Sequence, residues 1–326
     1  MKFVAHELEP LALIVNPEAA AGKWQRRLRA KQQIEELFGE KIKIASGTKQ
    51  STVNLVREIA PQLKTVIAVG GDGTIADVLE GLVKAGRLND VLFGIIPFGS
   101  GNAFRLAFDI PKSFKKALKV IKAGKVRLVD LVHFEDKVAG FISVGATAAV
   151  TEAKIQHQLP GFWGHVWAGR QLLSLEPQPW EVELESAVDN QGQSFSCLRL
   201  ELKVLDAVIT KTNYFGYKWH IAPLARTDDG FLDITFFEMS GPQYVLSLPS
   251  IYFGRKQLRL RHFKARRLTL RGEKLPIQYN GEFFGWRQQI TFEVWPKVLK
   301  LICPQPKRSE IKPDEIKPDE MKCDVM

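Results

Sequence analysis

Three glycines, an acid and a threonine stand together at Gly70-Gly71-Asp72-Gly73-Thr74. Backbone that carries no side chain at three of four positions can take positive φ and come close to another group. The residues before it, Val66-Ile67-Ala68-Val69, are apolar and mostly β-branched. That is the pattern of a strand buried on both faces. After it, Ile75, Val78, Leu79 and Leu82 recur at helical spacing, with Thr74 as N-cap or first-turn residue. A strand passing through glycines into a helix start gathers free N–H groups and the positive end of a helix dipole at one point. Such a point suits an anion, and a nucleotide phosphate is the expected occupant. A tight turn without a ligand is the alternative. The spacing is neither that of the G-x-x-x-x-G-K-[ST] phosphate loop nor that of G-x-G-x-x-G.

Other polar stretches follow apolar runs in the same way. Asn16-Pro17 follows residues 11–15, Gly47-Thr48 follows 42–45, and Gly99-Ser100-Gly101-Asn102 follows 91–96. Helical patterns intervene, ending near Phe38 and covering 51–60, 75–84, 103–108 and 113–122. Alternating strands and helices predict an α/β unit with a mostly parallel, doubly wound, Rossmann-like sheet. Ligands of such sheets lie beyond the carboxyl ends of the strands, where all four polar stretches fall.

The texture changes near residue 126. Strand patterns dominate, at 126–134, 137–143, 180–185, 194–204, 218–222, 231–237, 266–270, 276–279 and 289–294. Helical patterns interrupt them at 148–156, 163–173 and 241–253. A β-rich, antiparallel, sandwich-like second domain is expected. The division is then 1–127 for the α/β domain and 128–306 for the β-rich domain. A tail, 307–326, repeats Ile311-Lys312-Pro313-Asp314-Glu315 and is expected to be disordered. Asp228-Asp229-Gly230 favours a β-turn, and Asn280-Gly281 is a type I′ hairpin signal.

Bulk properties narrow the classes. The 326 residues suit two domains, and 45% apolar with 25% charged residues is ordinary for a folded soluble chain. A formal charge of +10 favours an anionic partner, whether nucleic acid, lipid or small molecule. No nucleic-acid-binding motif accompanies it, so nucleic acid is not expected. Three scattered cysteines predict no disulfide framework and a reducing, cytoplasmic setting. No signal-peptide core and no bilayer-spanning apolar run is present.

In order along the chain, these segments resemble the diacylglycerol kinase-like lipid kinases, bacterial-type relatives of sphingosine kinases. The glycine loop is similar to one shared across a superfamily that includes NAD kinases and phosphofructokinases. Leu13-Ile14-Val15-Asn16-Pro17 with Ala21-Gly22 resembles the family's opening strand and turn. Ile96-Pro97-Phe98-Gly99-Ser100-Gly101-Asn102 resembles its Pro-x-Gly-Thr-Gly-Asn element. Ala222-Pro223-Leu224-Ala225-Arg226-Thr227-Asp228-Asp229-Gly230-Phe231 resembles its metal loop, and Asn280-Gly281-Glu282 its Asp-Gly-Glu.

The resemblance implies an ATP-dependent lipid kinase with Mg²⁺. ATP contacts fall at Asn16, Thr48, Gly70, Gly71, Asp72, Gly73, Thr74, Ile75, Ala76 and Ser100, with Asn102 shaping the phosphate pocket. A Mg²⁺ site falls at the Arg226 carbonyl, the Asp229 carboxylate and the Phe231 carbonyl. Glu282 is the implied proton acceptor. Asp72 is implied to hold catalytic Mg²⁺ near the β- and γ-phosphates, with a loop-stabilising role as the alternative. The implied partners are a lipid such as diacylglycerol, an anionic membrane surface met peripherally, and a second copy in a homodimer. Phe162-Trp163, Trp167, Leu172 and Leu173 are candidates for the membrane contact, with helix packing as the alternative. Arg255-Lys256, Arg259, Arg261 and Arg266-Arg267 form the densest basic stretch. Two positions depart from the family: Asn280 replaces an acid, and Thr147 stands where an acid holds the polar headgroup in sphingosine-type enzymes. A soluble NAD kinase-like enzyme and a non-catalytic nucleotide or lipid sensor are the competing readings.

Overall fold

A computed structural model describes residues 6–17, 28–98, 103–157, 164, 167, 169–214, 219, 221–223, 225–252, 260–305 and 323–325. Its first half runs β1 (Leu11–Val15), α1 (Leu28–Phe38), β2 (Ile42–Ile44), α2 (Lys49–Ile59), β3 (Thr65–Gly70), α3 (Asp72–Lys84), β4 (Leu92–Pro97), α4 (Ala103–Ala107) and α5 (Phe114–Ala123). The four strands pair in parallel in the order β2-β1-β3-β4. Side-chain alternation divides this sheet between two cores. Leu13, Val15, Ile67 and Val69 pack with Ile34, Phe38 and Ile121 on one face. Ile14, Val66 and Ala68 pack with Val56, Ile75, Val78 and Leu79 on the other. Burial on both faces is why β1 and β3 are unbroken apolar runs. Parallel pairing sets their carboxyl ends on one edge.

The second half runs β5 (Val126–Phe134), β6 (Lys137–Ala139), β7 (Phe141–Gly145), α6 (Ala146–Gln156), β8 (Gln178–Asp189), β9 (Ser194–Val204), β10 (Asp206–Thr210), β11 (Leu232–Phe237), α7 (Gly241–Tyr252), β12 (Arg261–Ala265), β13 (Arg267–Tyr279), β14 (Glu282–Ile302) and β15 (Cys323–Val325). It is β-rich, as the strand patterns predict. Its antiparallel pairings close on themselves: β8 to β12, β11, β10, β7, β13 and back to β8. One core fills the ring, including Val144, Leu184, Ile209, Phe236, Leu268 and Ile277. Closure leaves the strands of the ring no open edge to protect.

β14 joins the halves. It starts at Glu282, pairs with β13, then with β5, and at Lys300 and Leu301 lies parallel to β4. This one strand of 21 residues carries the hairpin end and the edge of the parallel sheet on a single rigid element. The separate strands expected at 266–270, 276–279 and 289–294 are parts of β13 and β14. β10 and β12 have no counterpart among the expected strands, because β10 follows β9 across a single residue and reads as its continuation. Of the expected helix over 163–173, residues 164, 167 and 169 are helical among the described residues, and Arg170–Ser174 form a 3-10 turn. Residues 323–325 pair with β9, while 306–322 lie outside the described residues. Cys197 is disulfide-bonded, which corrects the expectation that the cysteines stay reduced. Cys303 is free and buried.

Candidate functional site

The glycine loop turns directly from strand to helix. β3 ends at Gly70, Gly71 caps α3, and Asp72 is the first helical residue. Thr74 is therefore a first-turn residue, not the cap. A Cβ on Gly70 would collide with the Thr74 side chain, so only glycine fits there. The Asp72 carboxylate reaches over to α4, where Oδ2 accepts from Ala103 N at 2.9 Å and Oδ1 from Phe104 N at 3.2 Å. Phe98 N donates to Gly70 O at 2.8 Å. Together these bonds tie the exit of β4 to the exit of β3. Asn16 follows β1 and is buried. Thr48 caps α2, its hydroxyl accepting from Ser51 N at 3.2 Å. Ile75 and Ala76 are buried in α3. Ser100, Asn102, Ala21, Gly22, Phe162 and Trp163 lie outside the described residues.

Glu282 comes from the other half. Asn280 (φ 47°) and Gly281 (φ 90°) form the two-residue turn between β13 and β14, as an Asn-Gly pair predicts. Asn280 also has a use of its own. Its Oδ1 accepts from Gly140 N at 3.3 Å and its N–H donates to Phe141 O at 3.1 Å, pinning the hairpin to the start of β7. The turn delivers Glu282 to the glycine loop: a Cβ built on Gly73 would lie 3.4 Å from Glu282 Oε1. Lys49, the first residue of α2, donates to Glu282 Oε2 at 2.8 Å and to the Tyr279 hydroxyl.

The charges around this seam are unequal in their pairing. Burial alone would lower the Lys49 ammonium, but Glu282 and Tyr279 outweigh it and hold it raised. Glu80 on α3 is buried, yet Lys84 at 2.8 Å, Lys137 at 3.0 Å and Lys49 at 3.6 Å hold its carboxyl below the usual range. Asp77, between them on α3, is 3% exposed and its Oδ1 has no hydrogen-bond partner. Burial, then the neighbouring Glu282 charge, pushes it up to about 8. Lys49, Asp77, Glu80 and Tyr279 were not among the sequence candidates. The available signal was two acids three residues apart inside an otherwise apolar helix.

The expected metal loop holds different chemistry. Lys211, just past β10, donates to Asp229 Oδ1 at 2.6 Å and to the Phe231 carbonyl, and lies 3.2 Å from Asp130 Oδ2. Lys264 takes the other Asp229 oxygen at 2.6 Å. Burial pushes the Asp229 carboxyl up, but Lys211 and Lys264 outweigh it and hold it below the usual range. Two of the three implied ligands are thus already engaged by ammonium groups. This donor set does not fit a resident Mg²⁺.

Thr147, in the first turn of α6, meets an acid from β10. Its hydroxyl bonds the Asp206 carboxylate, which also accepts from Tyr244 Oη at 3.0 Å. Burial pushes Asp206 up to about 7 against these bonds. The trio sits amid an apolar cluster with Val150, Val208, Phe237 and Ile251.

Two family models cover most of the chain. The diacylglycerol kinase catalytic domain matches residues 10–134, and the YegS C-terminal NAD kinase beta sandwich-like domain matches 140–303. The chain belongs to the diacylglycerol kinase-like lipid kinase family. Among its relatives, a diacylglycerol kinase of Bacillus subtilis (strain 168) is 24% identical over 84% of this chain and 89% of its own. A Staphylococcus carnosus (strain TM300) diacylglycerol kinase is 24% identical over 72% and 75%. A Citrobacter koseri protein named a probable lipid kinase YegS-like is 32% identical over 59% and 61%. The fold is also that of a crystal structure of a diacylglycerol kinase from Bacillus anthracis str. Sterne, with TM-score 0.64, 19% identity, and coverage of 94% of this chain and 99% of that one. Membership of this lipid kinase family supports kinase activity. The seam draws on both matched regions: Lys49, Asp77 and Glu80 from the first, Tyr279 and Glu282 from the second.

Proposed function

We propose that the protein is an ATP-dependent lipid kinase that transfers the γ-phosphate of ATP to a lipid hydroxyl, with diacylglycerol or a related lipid as acceptor. The observation that carries this reading is the Glu282 carboxylate set against Gly73 at the start of α3. Residues 1–127 act as the donor unit and 128–306 as the acceptor unit. ATP lies along Asn16, Thr48, Gly70 to Ala76, Ser100 and Asn102, its phosphates on the N–H groups of the glycine loop. Asp72 offers hard carboxylate oxygens of the kind suited to Mg²⁺ carried in with the nucleotide. That ion would neutralise charge on the phosphates.

Glu282 takes the proton of the lipid hydroxyl as the lipid oxygen attacks the γ-phosphorus. The bond from that phosphorus to the β–γ bridging oxygen breaks, ADP leaves, and Glu282 passes its proton to solvent. Lys49 fixes the orientation of the Glu282 carboxylate for this task. Seating both substrates in the seam excludes water and suppresses ATP hydrolysis.

The acceptor side carries exposed apolar residues on one module: Ile155 at the end of α6, Trp167, Leu173 on the 3-10 turn, and Leu246 on α7 at 80% exposure. No helix among the described residues is long and apolar enough to cross a membrane. These side chains therefore suit contact with a membrane surface from one side, helped by the basic charge of the chain. The Thr147, Asp206 and Tyr244 cluster beneath them suits the polar end of the acceptor.

Purified protein given Mg-ATP and extracted lipids should yield a phosphorylated lipid by mass spectrometry. Asp72→Ala and Glu282→Gln should each abolish it, and full activity in both would contradict the assigned roles. A soluble NAD kinase-like reading draws on the description of the second matched domain. Transfer to NAD with none to lipid would establish it. Nucleotide binding without turnover on any acceptor would indicate a sensor.

A further inference from the structure

We infer that Lys211 is a built-in cation: its ammonium occupies the oxygen cage of the 226–231 loop and replaces the divalent metal that the family resemblance implies there. The inference concerns the cage alone and holds whichever acceptor the enzyme uses.

The cage is assembled from four parts of the chain. Asp130 comes from β5, Asp229 and Phe231 from the loop before β11, Lys211 from the residue after β10, and Lys264 from β12. Asp130 is fully buried, and the Lys211 side chain is 1% exposed. An ammonium carries three N–H donors and no acceptor. Three oxygens face this one: Asp229 Oδ1 at 2.6 Å, Asp130 Oδ2 at 3.2 Å, and the Phe231 carbonyl. Donors and acceptors match in number, so the buried charge is fully satisfied. Its position is fixed by backbone, since Lys211 N donates to Gly140 O at 2.8 Å beside β7.

A divalent ion has little room beside it. Mg²⁺ demands oxygen ligands at about 2.0–2.1 Å in octahedral array. Asp229 Oδ2 is taken by Lys264 at 2.6 Å, and the other Asp229 oxygen and the Phe231 carbonyl are taken by Lys211. Seating the ion would require expelling Lys211 from its three oxygens or holding two cations against one another. The remaining Asp130 bonds keep the cage closed without a metal. Oδ2 accepts from Gly230 N at 2.7 Å and Oδ1 from Lys297 N at 2.8 Å, stapling the loop to β14. The loop that relatives would order with an ion is ordered here by a lysine.

Thermal unfolding of the nucleotide-free full chain tests this, with EDTA or millimolar Mg²⁺, alongside Mn²⁺ binding followed by electron paramagnetic resonance. The wild type should unfold at the same temperature in both buffers and show no bound Mn²⁺ that Asp229→Asn removes. Lys211→Met keeps the stem and removes the charge, and its Tm should fall by roughly 10 °C. Lys211→Ala empties the cage, and Mg²⁺ should then raise its Tm, an effect lost when Asp229→Asn is added. A wild-type Tm that rises with Mg²⁺ and stops doing so in Asp229→Asn would overturn the inference. So would a Lys211→Met protein as stable as wild type. Should Lys211→Ala not fold, the wild-type metal response and the Lys211→Met Tm still decide.

Discussion

The charged cluster at the seam and the one in the 226–231 loop are built to opposite ends. At the seam, Lys49 divides its bonds between Glu282 and Tyr279 and stands near Glu80, while Asp77 beside them keeps an oxygen unpartnered. In the 226–231 loop, Lys211 and Lys264 answer both oxygens of Asp229, and Asp130 is satisfied by backbone N–H groups and Lys211. The Glu282 side chain is 37% exposed, whereas those of Asp130 and Lys211 are sealed from water. A complete set of partners makes a staple. An incomplete set next to a glycine loop leaves capacity for a ligand and for a proton. On the proposed roles, the family's motif residues keep their positions while one cluster serves the reaction and the other the fold.

Breaking the staple should give the largest effect. Asp130→Ala leaves Lys211 and two backbone N–H groups with lost partners, and should cost about 3–5 kcal/mol in a denaturant titration. At the seam, Lys49→Met should leave the fold intact and lower turnover by about 10- to 100-fold, the scale of a misplaced catalytic group. Asp77→Asn sharpens the contrast through pH. Because the folded Asp77 carboxyl is raised to about 8, its favourable contribution is complete below the ordinary aspartate range and is lost as pH rises through 8. Wild-type Tm should therefore fall between about pH 4 and pH 8, and Asp77→Asn should flatten that fall. The smallest effect lies far from both clusters. Leu246→Asp should change stability by no more than about 0.5 kcal/mol while weakening sedimentation with anionic vesicles.

The parts of this architecture legible in the sequence are those where backbone demands a residue type. The runs at 11–15 and 65–70 are visible because both faces of those strands are buried. Gly70 is visible because Thr74 leaves no room for a Cβ, and Asn280-Gly281 because the turn requires positive φ at both positions. What was not legible depends on contacts between distant residues. Lys49 and Glu282 are separated by 233 positions, and nothing in the type or neighbours of Lys49 points to the hairpin. Lys211 likewise reads as one more basic residue until the ring of strands closes over it. β13 and β14 read as fragments because Glu273, Lys274, Arg287 and Gln288 interrupt the apolar stretches of these long strands.

The contrast between the clusters is tested most directly by measuring turnover per folded molecule and Tm for Glu282→Gln and Asp229→Asn side by side. Glu282→Gln should lose about 10²–10⁴-fold in phosphoryl transfer with little change in Tm. Asp229→Asn should lose several degrees of Tm while each folded molecule keeps its turnover. A Glu282→Gln enzyme that turns over normally, or an Asp229→Asn protein that is stable but inactive, would contradict the account.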